Sequence, residues 1–134
     1  MARLRDIVID SAHPASLARF WAAALDGYAV APYDEAELAR LRALGIDGPE
    51  DDPTVLLEPR DGGPRLFVQR VPEPKRVKNR VHLDLSTPDL ATELDRLTAL
   101  GATVLARYDD HVVLLDPEGN EFCVMKVREV MKVR

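Results

Sequence analysis

Runs of alternating apolar and polar residues mark short strands along this chain, separated by three stretches of helical period. Arg5–Asp10 (RDIVID) is rich in β-branched residues and leads into Ser11-Ala12-His13-Pro14, a polar turn that can start a helix. From Ala15 to Leu25 the apolar residues Leu17, Phe20, Trp21, Ala24 and Leu25 recur three and four apart, which is one helical face, and Gly27 stops it. Later, Arg80–Leu85 (RVHLDL) reads as a strand, Ser86-Thr87-Pro88-Asp89 as a helix start, and Leu90, Leu94, Leu97 and Leu100 as a buried stripe before Gly101. Laying Pro14 on Pro88 gives an offset of 88 − 14 = 74, and the same offset carries Gly27 onto Gly101 and Asp10 onto Asp84. The chain repeats itself.

The second half of each unit also corresponds. Val55–Pro59 (VLLEP) and Val113–Pro117 (VLLDP) are apolar strands ending in an acid and a proline, followed by a turn and a further strand, Leu66–Gln69 in one copy and Glu121–Met125 in the other. With strands near Tyr28–Ala31 and Thr103–Tyr108, each unit becomes βαβββ. The expected fold is therefore α+β, two tandem modules over about 4–70 and 80–125 within a single domain spanning 1–134. Residues 34–44 form an amphipathic helical insert, with Leu38, Leu41 and Leu44 on one side and acids at its start. The proline-containing basic run 71–79 is a solvated linker, and the tail 126–134 continues the alternating pattern VMKVREVMKVR with no function assigned.

Size and charge narrow the classes. With 134 residues the chain suits one domain, and 18 Lys+Arg against 23 Asp+Glu leave a net charge of −5, which argues against a nucleic-acid partner. The lone Cys123 allows no internal disulfide, Asp6 interrupts any signal-like start, and no apolar run approaches the ~20 residues that span a bilayer. The expectation is a cytoplasmic protein with no membrane partner.

The duplicated βαβββ pattern, with KNRVHLDL opening the second module, DPEGNEF closing it and Phe20-Trp21 in the first helix, resembles the vicinal oxygen chelate superfamily. More narrowly it resembles the glyoxalase-like branch of the glyoxalase, bleomycin-resistance and extradiol-dioxygenase group, from about Leu4 to Met125. The resemblance implies a cup-shaped mixed sheet with helices outside, a small-molecule ligand inside, and a homodimer. It also implies that His82 faces the cup together with Asp84, while Val81, Leu83 and Leu85 pack under the helices. By the offset of 74, Val8 takes the matching place in module one. Glu121, Cys123 and Met125 share the inner face of the last strand, and Phe67 and Gln69 that of its counterpart.

Metal-dependent members of the group gather four His, Glu or Gln ligands, two per module. The corresponding places here read Val8, Phe67 or Gln69, His82 and Cys123, and the first two apolar side chains coordinate nothing. The expected cofactor is therefore none, with a divalent metal on a shifted set of His82, Glu121, Cys123 and Gln69 as the alternative. The ligand-binding residues expected are Val8, Phe67, Gln69, His82, Glu121 and Cys123. His82 and Glu121 are the candidates for catalytic acid/base work, and His82 is equally a cup-lining histidine bonded to a neighbour such as Glu121. Cys123 is read as an inert half-buried thiol, with a Cys–His pair across the cup left open. His13 and His111 are surface residues, Phe20 and Trp21 core, and Asp116–Gly119 a type I turn that needs no chemistry to explain it. Two functions follow, a metal-independent binder of a hydrophobic or aromatic compound and a lyase, isomerase or dioxygenase. Whether the chain is an enzyme stays open.

Overall fold

The structure, a computed structural model, describes residues 1–127. The alternating tail expected over 126–134 lies outside the described residues from Arg128 on. The chain forms two compact units, Met1–Pro74 and Lys75–Arg134, so the boundary falls inside the proline-containing run 71–79.

In the first unit, strand β1 (Asp6–Ser11) is followed by helix α1 (Pro14–Ala24), β2 (Tyr28–Val30), helix α2 (Glu35–Ala43), a 3-10 turn at Pro49–Asp51, β3 (Thr54–Pro59) and β4 (Arg65–Arg70). The four strands make an open mixed sheet in the order β1-β4-β3-β2, with β1 parallel to β4 and the other pairs antiparallel. Period-two alternation sorts its side chains. Ile7, Ile9, Val55, Leu57, Leu66 and Val68 share the face that α1 covers, and the last four of these are buried. Helix α1 closes that core with Leu17, Phe20, Trp21 and Ala24, its two aromatic rings meeting edge to face at 5.2 Å. In α2, Asp34 caps the first turn by accepting a hydrogen bond from Glu37 N at 2.8 Å. Only part of the expected stripe is buried, since Leu41 is inside while Leu44 is exposed.

The second unit repeats the plan with β5 (Leu83–Thr87), α3 (Leu90–Leu100), β6 (Thr103–Arg107), β7 (Val112–Leu115) and β8 (Glu121–Lys126), in the sheet order β5-β8-β7-β6. Phe122, Val124, Val112 and Leu114 are buried on one face, and α3 contributes Leu94 and Leu97 to that core. Asp89 caps α3 by accepting from Thr92 N at 3.1 Å, and Gly101 ends it with φ 121°, a conformation open to glycine. The two βαβββ modules thus form an α+β fold of two open four-stranded mixed sheets and three α-helices.

Two expectations need correction. Val81 is 78% exposed and precedes β5 rather than packing under a helix, because the strand begins at Leu83, three residues later than the apolar pattern suggests. The internal offset is also 76 rather than 74 through the first strand and helix. Helix α3 starts at Leu90 where α1 starts at Pro14, 90 − 14 = 76. Ser11 and Thr87, 87 − 11 = 76, both accept a backbone N–H two residues on through their hydroxyls. Gly101 caps its helix directly, whereas Gly27 lies two residues beyond the Leu25 cap, so aligning the glycines shifts the repeat by two.

Candidate functional site

Each sheet has one face covered by its helix and one that is not, and strand alternation decides which residues appear on the second face. In module one that face carries Asp6, Val8 and Asp10 from β1, and Arg65, Phe67 and Gln69 from β4. Val8 and Phe67 are direct cross-strand partners, as are Asp10 and Gln69. Val8 is 51% exposed and Phe67 is half-buried, so an apolar surface stands open to solvent there. Arg65 frames it. Its guanidinium lies 5.3 Å from the Phe67 ring centroid and holds Asp6 through bonds of 2.9 and 3.3 Å. The Arg65 hydrogen bond, with Arg5 behind it, keeps the Asp6 carboxyl below its ordinary pKa against the opposing effect of burial.

In module two the same alternation places Asp84, Cys123 and Val113 in one cross-strand row, because Asp84 pairs with Cys123 and Cys123 with Val113. His82, just before β5, stands two residues from Asp84, and its Nε2 lies 3.2 Å from Asp84 Oδ1. The ligating atoms of His82, Asp84 and Cys123 lie within 4.8 Å of one another. His82 and Asp84 are partly open to solvent, while Cys123 is only 7% exposed. Burial pushes the Cys123 thiol above its ordinary pKa, and the charge of Lys78 opposes that shift only in part.

Glu121 has other partners. Its carboxylate accepts from Lys75 Nζ at 2.8 Å and from the backbone N–H of Asn79 at 2.6 Å, while the Asn79 side-chain amide donates to the Glu121 carbonyl at 3.2 Å. Burial, the largest influence on its pKa, acts upward. The Lys75 and Asn79 bonds together outweigh it and leave Glu121 below the usual carboxylate value. The end of the run 71–79 is thereby tied to the start of β8.

The expected site residues thus fall into three groups: Val8, Phe67 and Gln69 on the open face of module one, His82 and Cys123 with Asp84 in module two, and Glu121 with Lys75 and Asn79. Asp84 is the residue that sequence reasoning left without a role. Its signal was present in the His82-Leu83-Asp84 spacing, which puts both polar side chains on one side of a strand.

Strand register also corrects the correspondence between modules. Val8 pairs with Phe67 as Asp84 pairs with Cys123, so Val8 matches Asp84 (84 − 8 = 76) and Phe67 matches Cys123 (123 − 67 = 56). The counterpart of His82 is then Asp6, not Val8 (82 − 6 = 76). A four-donor metal centre with two ligands from each module does not fit these residues. Val8 and Phe67 carry no donor atom, and Asp6 is engaged by Arg65.

Comparison with known proteins agrees with this architecture. The sequence matches the glyoxalase-like domain family over residues 6–125. No curated protein matches it. Among solved structures, a glyoxalase/bleomycin resistance protein/dioxygenase family enzyme from Burkholderia phytofirmans superposes with a TM-score of 0.66 at 17% identity, covering 95% of this chain and 100% of that one. The fosfomycin resistance protein FosX from Mesorhizobium loti gives 0.63 at 11%, covering 93% and 91%. The trypanothione-dependent glyoxalase I of Leishmania major gives 0.61 at 12%, covering 94% and 87%. Identities this low speak to the fold. With the family match extending from β1 to β8, the chain belongs to the glyoxalase-like domain family.

Proposed function

We propose that this chain is a small-molecule-binding member of its family, taking up a hydrophobic or aromatic compound on the helix-free faces of its sheets without a four-ligand metal centre. The observation that carries this reading is the pairing of exposed Val8 with half-buried Phe67, an apolar surface on the open face of module one, with Phe67 at the place that matches Cys123. Gln69 and Arg65 at its margin supply the few polar groups that orient a bound molecule. Two structural neighbours are described by resistance to bleomycin or fosfomycin, which places these compounds in the first screen.

The test is ligand-dependent thermal stabilisation against bleomycin, fosfomycin and a panel of aromatic acids and ketones. A compound at a hundred times its Kd adds about 2.7 kcal/mol, a rise of roughly 10 °C for a cooperative chain of this size. Val8→Asn, on an exposed position, abolishes the rise while leaving the unliganded melting temperature in place. A panel without any rise, or a rise that Val8→Asn and Phe67→Ala both leave intact, contradicts the proposal.

One contact favours a second reading, an enzyme acting as a lyase, isomerase or dioxygenase on a small oxygenated substrate. His82 beside Asp84 is a base whose ring an adjacent carboxylate orients, suited to moving a proton next to a carbonyl. Solvent-deuterium exchange into α-hydroxyketones, lost in His82→Gln and retained in Val8→Asn, would favour this reading over the first.

A further inference from the structure

The polar residues that border the apolar surface of module one differ in how their charges are met. We infer that the compound bound there is cationic, an aromatic or alicyclic body carrying an ammonium group that Asp10 anchors. The inference rests on the binding reading above and names the class of ligand.

Strand register sorts the open face into three rows. The middle row is apolar across three strands, since Phe67 pairs with Val8 on one side and with Leu56 on the other. Val8 is exposed and the other two are half-buried, so a ligand can reach the row. One margin contains Arg65, whose charge is already met. The guanidinium donates to Asp6 at 2.9 and 3.3 Å, lies 5.3 Å from the Phe67 ring centroid, and is close enough to Glu58 for that carboxylate to act on it. Arg5 holds the same Asp6 at 2.9 Å. Two cations against two carboxylates leave this margin neutral, and an incoming carboxylate would have to displace Asp6 to take both arms of Arg65.

The opposite margin is built from Asp10 and its cross-strand partner Gln69, followed by Thr54 on β3. Asp10 is exposed and makes no hydrogen bond or ion pair with any described residue. Its neighbours in the row are uncharged, and Arg70, next along β4, alternates to the other face of the sheet with its partner Ser11. An unpaired carboxylate therefore stands beside an apolar stripe, with the Gln69 amide oxygen as a second acceptor in the same row.

The spacing sets the shape of the ligand. Successive rows on one face are two residues apart along the strand, about 6.6 Å. A ring seated on Val8 and Phe67 reaches the Asp10 row through a tether of roughly two or three methylene carbons. The ammonium then donates to the Asp10 carboxylate across opposite charges. The matching alcohol keeps only the hydrogen bond, and the matching carboxylate is repelled. The net charge of −5 draws the same ligand at longer range.

The experiment titrates the full-length protein with phenylpropylamine, phenylpropanol and phenylpropanoate, which share one body and differ in the end group, and reads dissociation constants from backbone amide shifts. The expected order is amine, alcohol, acid, with the amine at least about tenfold tighter than the acid and the largest shifts at Val8, Asp10 and Phe67. Asp10→Asn brings the amine within about twofold of the alcohol. Asp95→Asn, which removes one exposed charge from α3 in the other module, leaves the order unchanged. Added salt weakens the amine and spares the alcohol. An acid that binds as tightly as the amine, or an amine preference that survives Asp10→Asn, overturns the inference. If Val8→Asn still abolishes binding of the whole series in that case, the binding reading stands and only the ligand class falls. No binding by the amine at millimolar concentration also overturns the inference, and the reading itself then stands or falls by the melting-temperature screen. A series that binds but ignores both Val8→Asn and Phe67→Ala overturns the two together.

Discussion

Replacing Asp116 with alanine should cost about 3 kcal/mol, although the residue lies in a surface hairpin. Its buried carboxylate organises the turn between β7 and β8. Oδ1 accepts from Glu118 N at 2.9 Å and from Asn120 N at 3.0 Å, and Oδ2 accepts from Asn120 Nδ2 at 2.9 Å. Hydrogen bonds to a charged acceptor contribute roughly 1.5–3 kcal/mol each, and the half-buried donors here recover part of that from water, which leaves about 1 kcal/mol apiece. With a urea dependence of about 2 kcal/mol/M, the midpoint should fall by about 1.5 M. Asp116→Asn separates the bonds. An amide keeps the Oδ1 acceptor but turns a donor toward Asn120 Nδ2, so its midpoint should fall by only about 0.5 M. Urea titrations of the three proteins, followed by circular dichroism, make the comparison. An alanine variant within about 0.2 M of the parent would refute the reasoning, and the DPEGN motif would then require another explanation than its turn.

Other outcomes follow from single groups. Trp21, the one tryptophan, is 2% exposed, so its emission should lie to the blue and resist acrylamide; red, readily quenched emission would contradict its place beneath the first sheet. The raised pKa of Cys123 predicts reaction with a disulfide reagent at pH 8 at least about tenfold slower than in urea, and equal rates would contradict its burial. Since the folded thiol resists ionisation, its contribution to stability is fully present below the unfolded value of about 8.5 and lost as the pH rises above it. Glu121 has the opposite sign. Its lowered pKa stabilises the fold above the unfolded carboxyl value of about 4.3, and that gain is lost as the pH falls through the folded value. Lys75→Met should therefore raise the Glu121 titration midpoint seen by carboxyl-carbon NMR, and an unchanged midpoint would count against the ion pair.

Much of the fold was legible because the apolar periods are strong. The stripe Leu17, Phe20, Trp21 and Ala24 sits on α1 as expected, and Leu66 and Val68 turn inward while Phe67 and Gln69 turn outward. The site was harder for two physical reasons. Register between strands distant in the chain is fixed by hydrogen bonds that no local pattern reports, so glycines at unequal distances from their helices shifted the repeat and matched His82 to Val8 instead of Asp6. The partners of Glu121 come from the returning run that holds Lys75 and Asn79, a tertiary contact invisible to strand alternation. Asp84 was visible as a neighbour of His82 on one strand face, but its pairing with Cys123 required the β5–β8 register.

The most direct measurement of what this protein binds is diffraction from crystals grown with a compound that raises its melting temperature. The expected result is density for the compound against Val8 and Phe67 on the open face of module one, with its polar end toward Gln69 or Arg65. Density for the compound only at sites that touch neither Val8 nor Phe67 would contradict the proposed function.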